Sequence, residues 1–529
     1  MKIQKFFPLG ILLLLNFSLT EAQTNFKHVN PPEVSDYAPI LQFLASPELE
    51  GREPGTRGAT LAADYIASMM QNMGLIPYNN QGSELKTVLS DYFQSFDLKL
   101  LKVQYLSFVI GEGNKRKAPL RLLLGNDFSP ENISSDLSIE SDMLFAGYGI
   151  NAPELNYNDY QDMDIKGKVV VLLGGYPGQH DTLSLAWQRF KKPAVDDEFD
   201  FEMRCREAER SGASAIIIID KQYLKSINNS PVGTGNFIPK GQSFYTRDYY
   251  RKPQNGNTSA TCFILTDTGS SKFAGELNID FIAIEKQIAN QLTYTKIKLQ
   301  KQCAIDLKIV PDTLHLNNVL GLLPGLDTSV TVILGAHYDH LGKRGEKTIY
   351  YGSDDNASGV AGLLALAEMW TESCTVPPCN ILFASWTAEE KGLIGSNYFA
   401  ENLASPEKVK LYINMDMISR SVKEDTAARQ LSIGTRTTDE YIRKIARESN
   451  STLQKPFELD LWDVTGHSGS DYASFTAKNI PIMTYNTGLH DDYHTPRDIP
   501  ASADLIKMGD VLKVVNGCLE SFMETMIKK

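Results

Sequence analysis

Imidazoles and carboxylates stand in this sequence where apolar runs end. His337-Tyr338-Asp339 follows Val330–Leu334, and Gly352-Ser353-Asp354-Asp355-Asn356 precedes a helix pattern over Ser358–Trp370. Glu389-Glu390 follows Asn380–Ala384, Asn414-Met415-Asp416 follows Val409–Ile413, and Asp491-Asp492-Tyr493-His494 follows Ile480–Tyr485. Several carboxylates gathered in one place repel one another, and a divalent cation relieves that repulsion. Mixed His and Asp/Glu donors favour zinc, or another first-row divalent ion, over calcium or magnesium. One carboxylate, such as Asp355, can bridge two ions about 3.5–4 Å apart. Of two adjacent glutamates, one can ligate while the other takes a proton from water. In His337-x-Asp339 the carboxylate is placed to orient the imidazole from behind. Each piece alone has a plainer reading. Asp354 to Ser358 can cap a helix, Glu389-Glu390 can open a solvated one, and Asp339 can be a turn carboxylate. What points to chemistry is five such segments in one stretch of chain.

The elements that must position them read as strand, loop, helix, repeated from about residue 315. Val360, Leu363, Leu364 and Ala367 recur at helical spacing, while the flanking apolar runs have strand length. Strands alternating with helices predict an α/β fold: a mostly parallel mixed sheet flanked by helices, with ligands bound at the carboxyl ends of the strands. Near the N-terminus, Leu61, Tyr65, Ile66, Met69, Met70 and Met73 predict a helix over 57–73, ended by Gly74. Between about 120 and 290 the texture shifts to short β-like runs separated by Gly, Asn and Asp turns, with one helix pattern at Phe201–Ser211. A separate, mainly β domain with a helix or two is expected there.

The chain has 529 residues, 42% hydrophobic and 22% charged, which suits a globular protein of several domains. Its 52 basic and 64 acidic residues give a net charge of −12. That balance disfavours a nucleic-acid partner or a polybasic membrane surface. Residues 1–22 read as a signal peptide: a basic start, an apolar run Leu9–Leu15, and Thr20-Glu21-Ala22 as a cleavage site. Export to a periplasm or beyond the cell is therefore expected, with no transmembrane anchor. In such a compartment Cys374 and Cys379 are the best disulfide pair, because they bracket a short Pro-Pro turn. His-Glu-x-x-His and a phosphate-binding Gly-x-x-x-x-Gly-Lys-Ser/Thr loop are both absent.

Taken in order, Gly335–Asp339, Gly352–Gly359, Ala388–Ser396, Asn414–Asp416 and Tyr493–Pro496 resemble the secreted di-zinc exopeptidases of metallopeptidase family 28. Ser46–Gly58 is similar to that family's N-terminal segment. Residues 130–285 resemble a protease-associated domain through Gly147–Ile150 and Ile165–Val169. The resemblance implies an N-terminal peptidase part over 23–125, an inserted protease-associated domain over 126–290, and a catalytic part over 291–529. It implies two zinc ions, one held by His337 and Asp416, the other by Glu390 and His494, with Asp355 bridging. Glu389 would be the general base, and Tyr493 would donate to the oxyanion. His340, His467 and His490 lie near these segments but match no ligand position, so they are expected to be structural or to line the substrate site.

Three functions follow for testing. The leading one is an aminopeptidase acting on peptides outside the cytoplasm. A carboxypeptidase or dipeptidase on the same site would need a basic clamp for a free carboxylate, from Arg344, Arg420 or Arg497. A non-catalytic binding protein would be expected to have lost ligand residues.

Overall fold

The computed structural model describes residues 29–78, 88–111, 118–124, 126–131, 133, 135–195, 201–219, 243–244, 261–293, 296–344, 348–464 and 469–527. The signal-peptide reading over 1–22, and His467, lie outside them. Two helices lead in, α1 (Val34–Leu44) and α2 (Arg57–Asn72), the second capped by Thr56, whose side chain accepts the Ala59 N–H. The inward face of α2 is built from Ala62, Ala63, Ile66, Ala67 and Met70, while Leu61, Tyr65, Met69 and Met73 flank it half-buried. Small alanines let the helix sit close to the sheet, so the larger side chains that carry the periodicity pack along its sides.

The strands follow in chain order: β1 (Phe93–Ile110), β2 (Phe128–Glu131), β3 (Leu137–Phe145), β4 (Val169–Leu173), β5 (Ala215–Ile219), β6 (Cys262–Leu265) and β7 (Ile297–Leu323). After these come β8 (Asp327–His337), β9 (Cys379–Trp386), β10 (Val409–Met415), β11 (Gln430–Thr435), β12 (Glu458–Asp463) and β13 (Ile482–Asn486). Twelve of them follow one another in a continuous sheet in the order β12-β11-β13-β10-β8-β9-β7-β3-β4-β5-β6-β2, and β1 joins it off this path by pairing antiparallel with β7. On the side of residues 327–486, β9, β8, β10 and β13 run parallel, whereas β11 pairs antiparallel with β13. The mixed, largely parallel sheet is thus as expected.

Strands β8, β9 and β10 are buried on both faces at their carboxyl-terminal ends, as near-continuous apolar runs require. Val332 and Leu334 face a core shared with α1, α2, the helix Gly359–Glu372 and the helix Leu505–Ile527. Ile333 faces the opposite core with Trp386, Tyr412 and Phe475. The helix Gly359–Glu372 is apolar on nearly every side, as befits one enclosed by sheet and helices.

The region 126–290 holds four helices among the described residues: Leu185–Val195, Phe201–Arg210, Asp267–Leu277 and Phe281–Gln291. That exceeds the helix or two expected. The reason lies in its strands. VVVLL, AIIII and CFIL are apolar at every position, run parallel, and need cover on both faces. Val169 and Val171 accordingly meet Phe190, Phe273 and Phe281, while Val170 and Leu172 meet Cys205 and Ala208.

The expected Cys374–Cys379 bridge is not formed; both are free thiols. Cys374 sits exposed with φ 54 just after a helix, whereas Cys379 is buried in the core at the start of β9. No helix among the described residues is long and apolar enough to cross a membrane.

Candidate metal centre

The residues singled out by sequence meet at the carboxyl ends of the parallel strands. His337 is the last residue of β8, and Asp416 follows β10 directly. Asp355 lies in the turn Ser353–Ser358, whose backbone leaves helical geometry at Asp355 and Asn356. Asp498 holds that turn from behind, its carboxylate accepting the N–H groups of Asp354 (3.0 Å) and Asp355 (3.1 Å). The Asn356 amide donates to Met415 O and accepts the Gly359 N–H, which ties the turn to β10 and to the next helix. Three non-glycine residues with left-handed φ stand at or beside donors: Ala388 (56°), Met417 (63°) and His494 (54°). Such conformations cost about 1 kcal/mol each and persist where surrounding structure enforces them.

The donor atoms form two groups, His337/Glu389/Asp416 and His340/Asp355/Glu390/His494. Asp355 faces both, with Oδ1 3.4 Å from His337 Nε2 and Oδ2 2.5 Å from His494 Nε2. Asp416 Oδ1 is 3.4 Å from His337 Nε2, Glu390 Oε1 is 3.1 Å from His494 Nε2, and Glu389 Oε2 is 3.9 Å from His337 Nε2. Yet Asp355 Oδ2 and Asp416 Oδ1 are buried without a hydrogen-bond partner. Buried polar atoms are normally satisfied. Lone pairs that converge on a shared point, with mixed N and O donors, fit a first-row divalent ion.

The electrostatics agree. Burial works against a charged imidazole, but Glu389 and Asp416 hold the His337 pKa well above its ordinary value. Burial likewise opposes charge on His494, which Glu390 and Asp355 raise to about 10. Burial pushes the Glu389 carboxyl well above the carboxylate range, while Glu390, buried too but beside His494, stays at about 2. The cluster therefore retains protons that a bound cation would displace.

Asp339 plays a different part from the expected one. Its carboxylate is 3.8 Å from His337 Nδ1, and it is the Asp339 main-chain oxygen that reaches that nitrogen, at 3.2 Å. The carboxylate instead accepts the N–H groups of Glu389 (3.0 Å) and Glu390 (3.3 Å), fixing the acidic turn. Tyr493 stacks on His494 at 3.7 Å, and burial followed by the nearby carboxylates of Asp355 and Glu390 raises its phenol pKa.

Sequence reasoning missed four groups. Arg52 is fully buried and donates to the carbonyls of Leu44, Tyr338 (2.6 Å), Tyr351 (2.8 Å) and Gly352 (2.9 Å), pinning both loops that carry donors. Burial draws its pKa down to about 10 against the pull of Asp355 and Asp339. Asp498 is the second and Asp471 the third. Asp471 is buried with both oxygens unpartnered and is raised by burial to about 7. His340, set aside as matching no ligand position, is wholly buried with Nδ1 2.8 Å from Glu390 Oε1. Of the candidate clamps, Arg420 is engaged by Asp492 (2.9 Å), and Arg497 meets the same carboxylate (2.6 Å).

Residues 318–517 match the sequence profile of Peptidase family M28. Leupeptin-inactivating enzyme 1 of Streptomyces exfoliatus is 30% identical over 172 residues, 31% of this chain and 34% of that protein. Leucine aminopeptidase 2 of Trichophyton equinum is 31% identical over 180 residues, 32% of this chain and 33% of that protein. The match thus spans about a third of the length of these curated relatives. Among solved structures, an aminopeptidase from Aneurinibacillus sp. strain AM-1 superposes with a TM-score of 0.57 at 18% identity, over 92% of this chain and 93% of that one. A zinc aminopeptidase from Bacillus subtilis gives 0.57 at 16%, over 93% and 95%. At such identities these two speak for the fold. The stretch that matches the Peptidase family M28 profile, residues 318–517, carries every donor from His337 to His494.

Proposed function

We propose that the protein is an exported di-zinc aminopeptidase that removes amino-terminal residues from peptides. The observation that carries the reading is the convergence of His337, Asp355, Glu390, Asp416 and His494 at the strand ends, with buried Asp355 and Asp416 oxygens left without hydrogen-bond partners. His337 and Asp416 would hold one zinc, Glu390 and His494 the other, with Asp355 shared. Bound there, zinc supplies Lewis acidity and makes a water acidic enough to attack a carbonyl near neutral pH. Glu389 faces the same space, and its raised pKa suits it to take a proton from water at Oε2 and return it to the leaving amine. Tyr493 is placed beside His494 to donate its hydroxyl proton to the developing oxyanion. Asp339 and Asp498 hold the backbone of the acidic turn and of the Asp355 turn.

The aminopeptidase reading is favoured over the carboxypeptidase or dipeptidase one because Arg420 and Arg497 are both already paired with Asp492; the Arg344 side chain lies outside what the structure describes. The inserted region, read as a protease-associated domain, would limit which peptides reach the cleft. Glu389→Gln should leave zinc in place and lower kcat by about 10²–10⁴; an unchanged kcat rejects the mechanism. Zinc-loaded protein should cleave C-blocked peptides and spare N-blocked ones, and the opposite pattern rejects the amino-terminal preference.

A further inference from the structure

Three imidazoles approach the carboxylates of the centre, and they do so in two ways. His337 Nε2 and His494 Nε2 come within 2.5–3.4 Å of carboxylate oxygens, among them Asp355 Oδ2 and Asp416 Oδ1, which have no hydrogen-bond partner. His340 Nδ1 instead makes a well-directed hydrogen bond to Glu390 Oε1, at 2.8 Å. That geometry belongs to a side chain that holds a donor, not to a donor itself.

The ring is fixed from several sides. The His340 main-chain N–H donates to Arg52 O (3.3 Å), which fixes the backbone that carries the ring, and Arg52 in turn grips the carbonyls of Tyr338 and Gly352 on either side. Gly352 lies against the ring face. A Cβ there would come 2.4 Å from His340 Cγ, and the φ of 57° disfavours any L side chain as well. Across the site, the ring meets that of His494 edge to face at 5.4 Å. Both His340 and Glu390 are almost wholly buried, so water does not compete for the bond.

We propose that His340 is a positioning residue of the metal centre: its Nδ1–H holds the Glu390 carboxylate in one orientation, so that Glu390 meets the cation preorganised. The inference rests on the metallopeptidase reading. Hydrogen bonds from outside the coordination sphere orient ligands and typically change metal affinity about 10–100-fold. The other ring nitrogen, Nε2, is buried without a hydrogen-bond partner.

The test is zinc binding to the full-length protein by competition with a chromophoric chelator, with X-ray absorption counting imidazoles per zinc. His340→Ala should weaken one of the two zinc equivalents by about 10–100-fold and leave the imidazole count unchanged. His340→Gln, whose amide can still donate to Glu390, should recover most of that loss. Wild-type affinity in His340→Ala overturns the proposal. So does a fall in imidazole count, which would make His340 a ligand. Should His340→Ala not fold, His340→Gln decides alone: affinity within about threefold of wild type supports the bond, and a drop beyond about 10-fold refutes it. Wild-type protein that takes up no zinc breaks the metallopeptidase reading and this inference together. Zinc uptake without peptide cleavage breaks only the former.

Discussion

Two halves of one sheet each bury aspartates, with opposite results. In the insert, Asp159 is buried and fully occupied: it accepts the N–H groups of Tyr148 and Ile150 (both 3.0 Å) and the Tyr157 hydroxyl (2.7 Å). In the other half, Asp355 is as enclosed and Asp416 partly so, and each keeps a buried oxygen without a partner. Burial raises the Asp159 pKa to about 7, so neither burial nor a shifted pKa separates a structural carboxylate from a reactive one. An unsatisfied lone pair that converges with other metal-type donors does, which Asp355 and Asp416 have and Asp471, unpartnered but in neither donor group, lacks. A fold can shield a carboxylate to complete its hydrogen bonding, or shield it while withholding that completion, and only the second leaves room for a cation.

The sharpest way to break this comparison is to exchange consequences. Asp355→Asn should lose zinc, with affinity falling by more than about 100-fold and peptide cleavage falling with it, while thermal unfolding of the metal-free protein barely moves. Zinc content equal to wild type would mean Asp355 is another Asp159. Asp159→Ala should do the reverse. It strands two N–H groups and a hydroxyl in the core, so urea unfolding should show a loss of about 3 kcal/mol with zinc content intact. The charge on Asp159 has its own signature. The folded chain keeps that proton to about pH 7, while an unfolded aspartate releases it near 3.8. Between those values the folded state binds more protons, so stability falls as pH rises through the window. Asp159→Asn should flatten that slope, and an unchanged slope would show that the carboxyl titrates normally. The smallest effect belongs to the rim. Arg497 is 66% exposed, and Arg497→Ala should cost under about 0.5 kcal/mol. It should also leave peptide kinetics unaltered; a large rise in KM for peptides with a free carboxylate would revive the carboxypeptidase reading.

Four of the five donor segments were legible because each stands at the end of an apolar run, and the fifth, around Asp355, because it opens a helix; a parallel sheet brings strand ends together whatever the loops do. Arg52 carried no such mark. It is one basic residue between turn glycines, and its partners are main-chain carbonyls up to 300 positions away, which leave no trace in side-chain pattern. Asp498 was opaque for a like reason, since its partners are main-chain N–H groups 144 and 143 positions away. Spacing placed Asp339 correctly beside His337 but not its two ends: the carbonyl supports the ring and the carboxylate serves the glutamates. In the insert, the apolar strands were visible while their helical cover was undercounted. VVVLL and AIIII state that both faces are covered without stating by what.

Strands β1 and β7 carry the chain into the insert and back, and they are hydrogen-bonded to each other from Cys303↔Ile110 to Val319↔Phe93. The two passages between the halves are therefore one ladder, not a pair of loose linkers. A swinging motion would have to break ladder bonds in series, whereas a twist about the strand axis deforms them all slightly. The register shift at Lys308/Ile309 is the soft point on that shaft. Mechanically, residues 126–290 hang from a torsion bar: turning about the shared ladder is the softer deformation and a hinged swing the stiffer one.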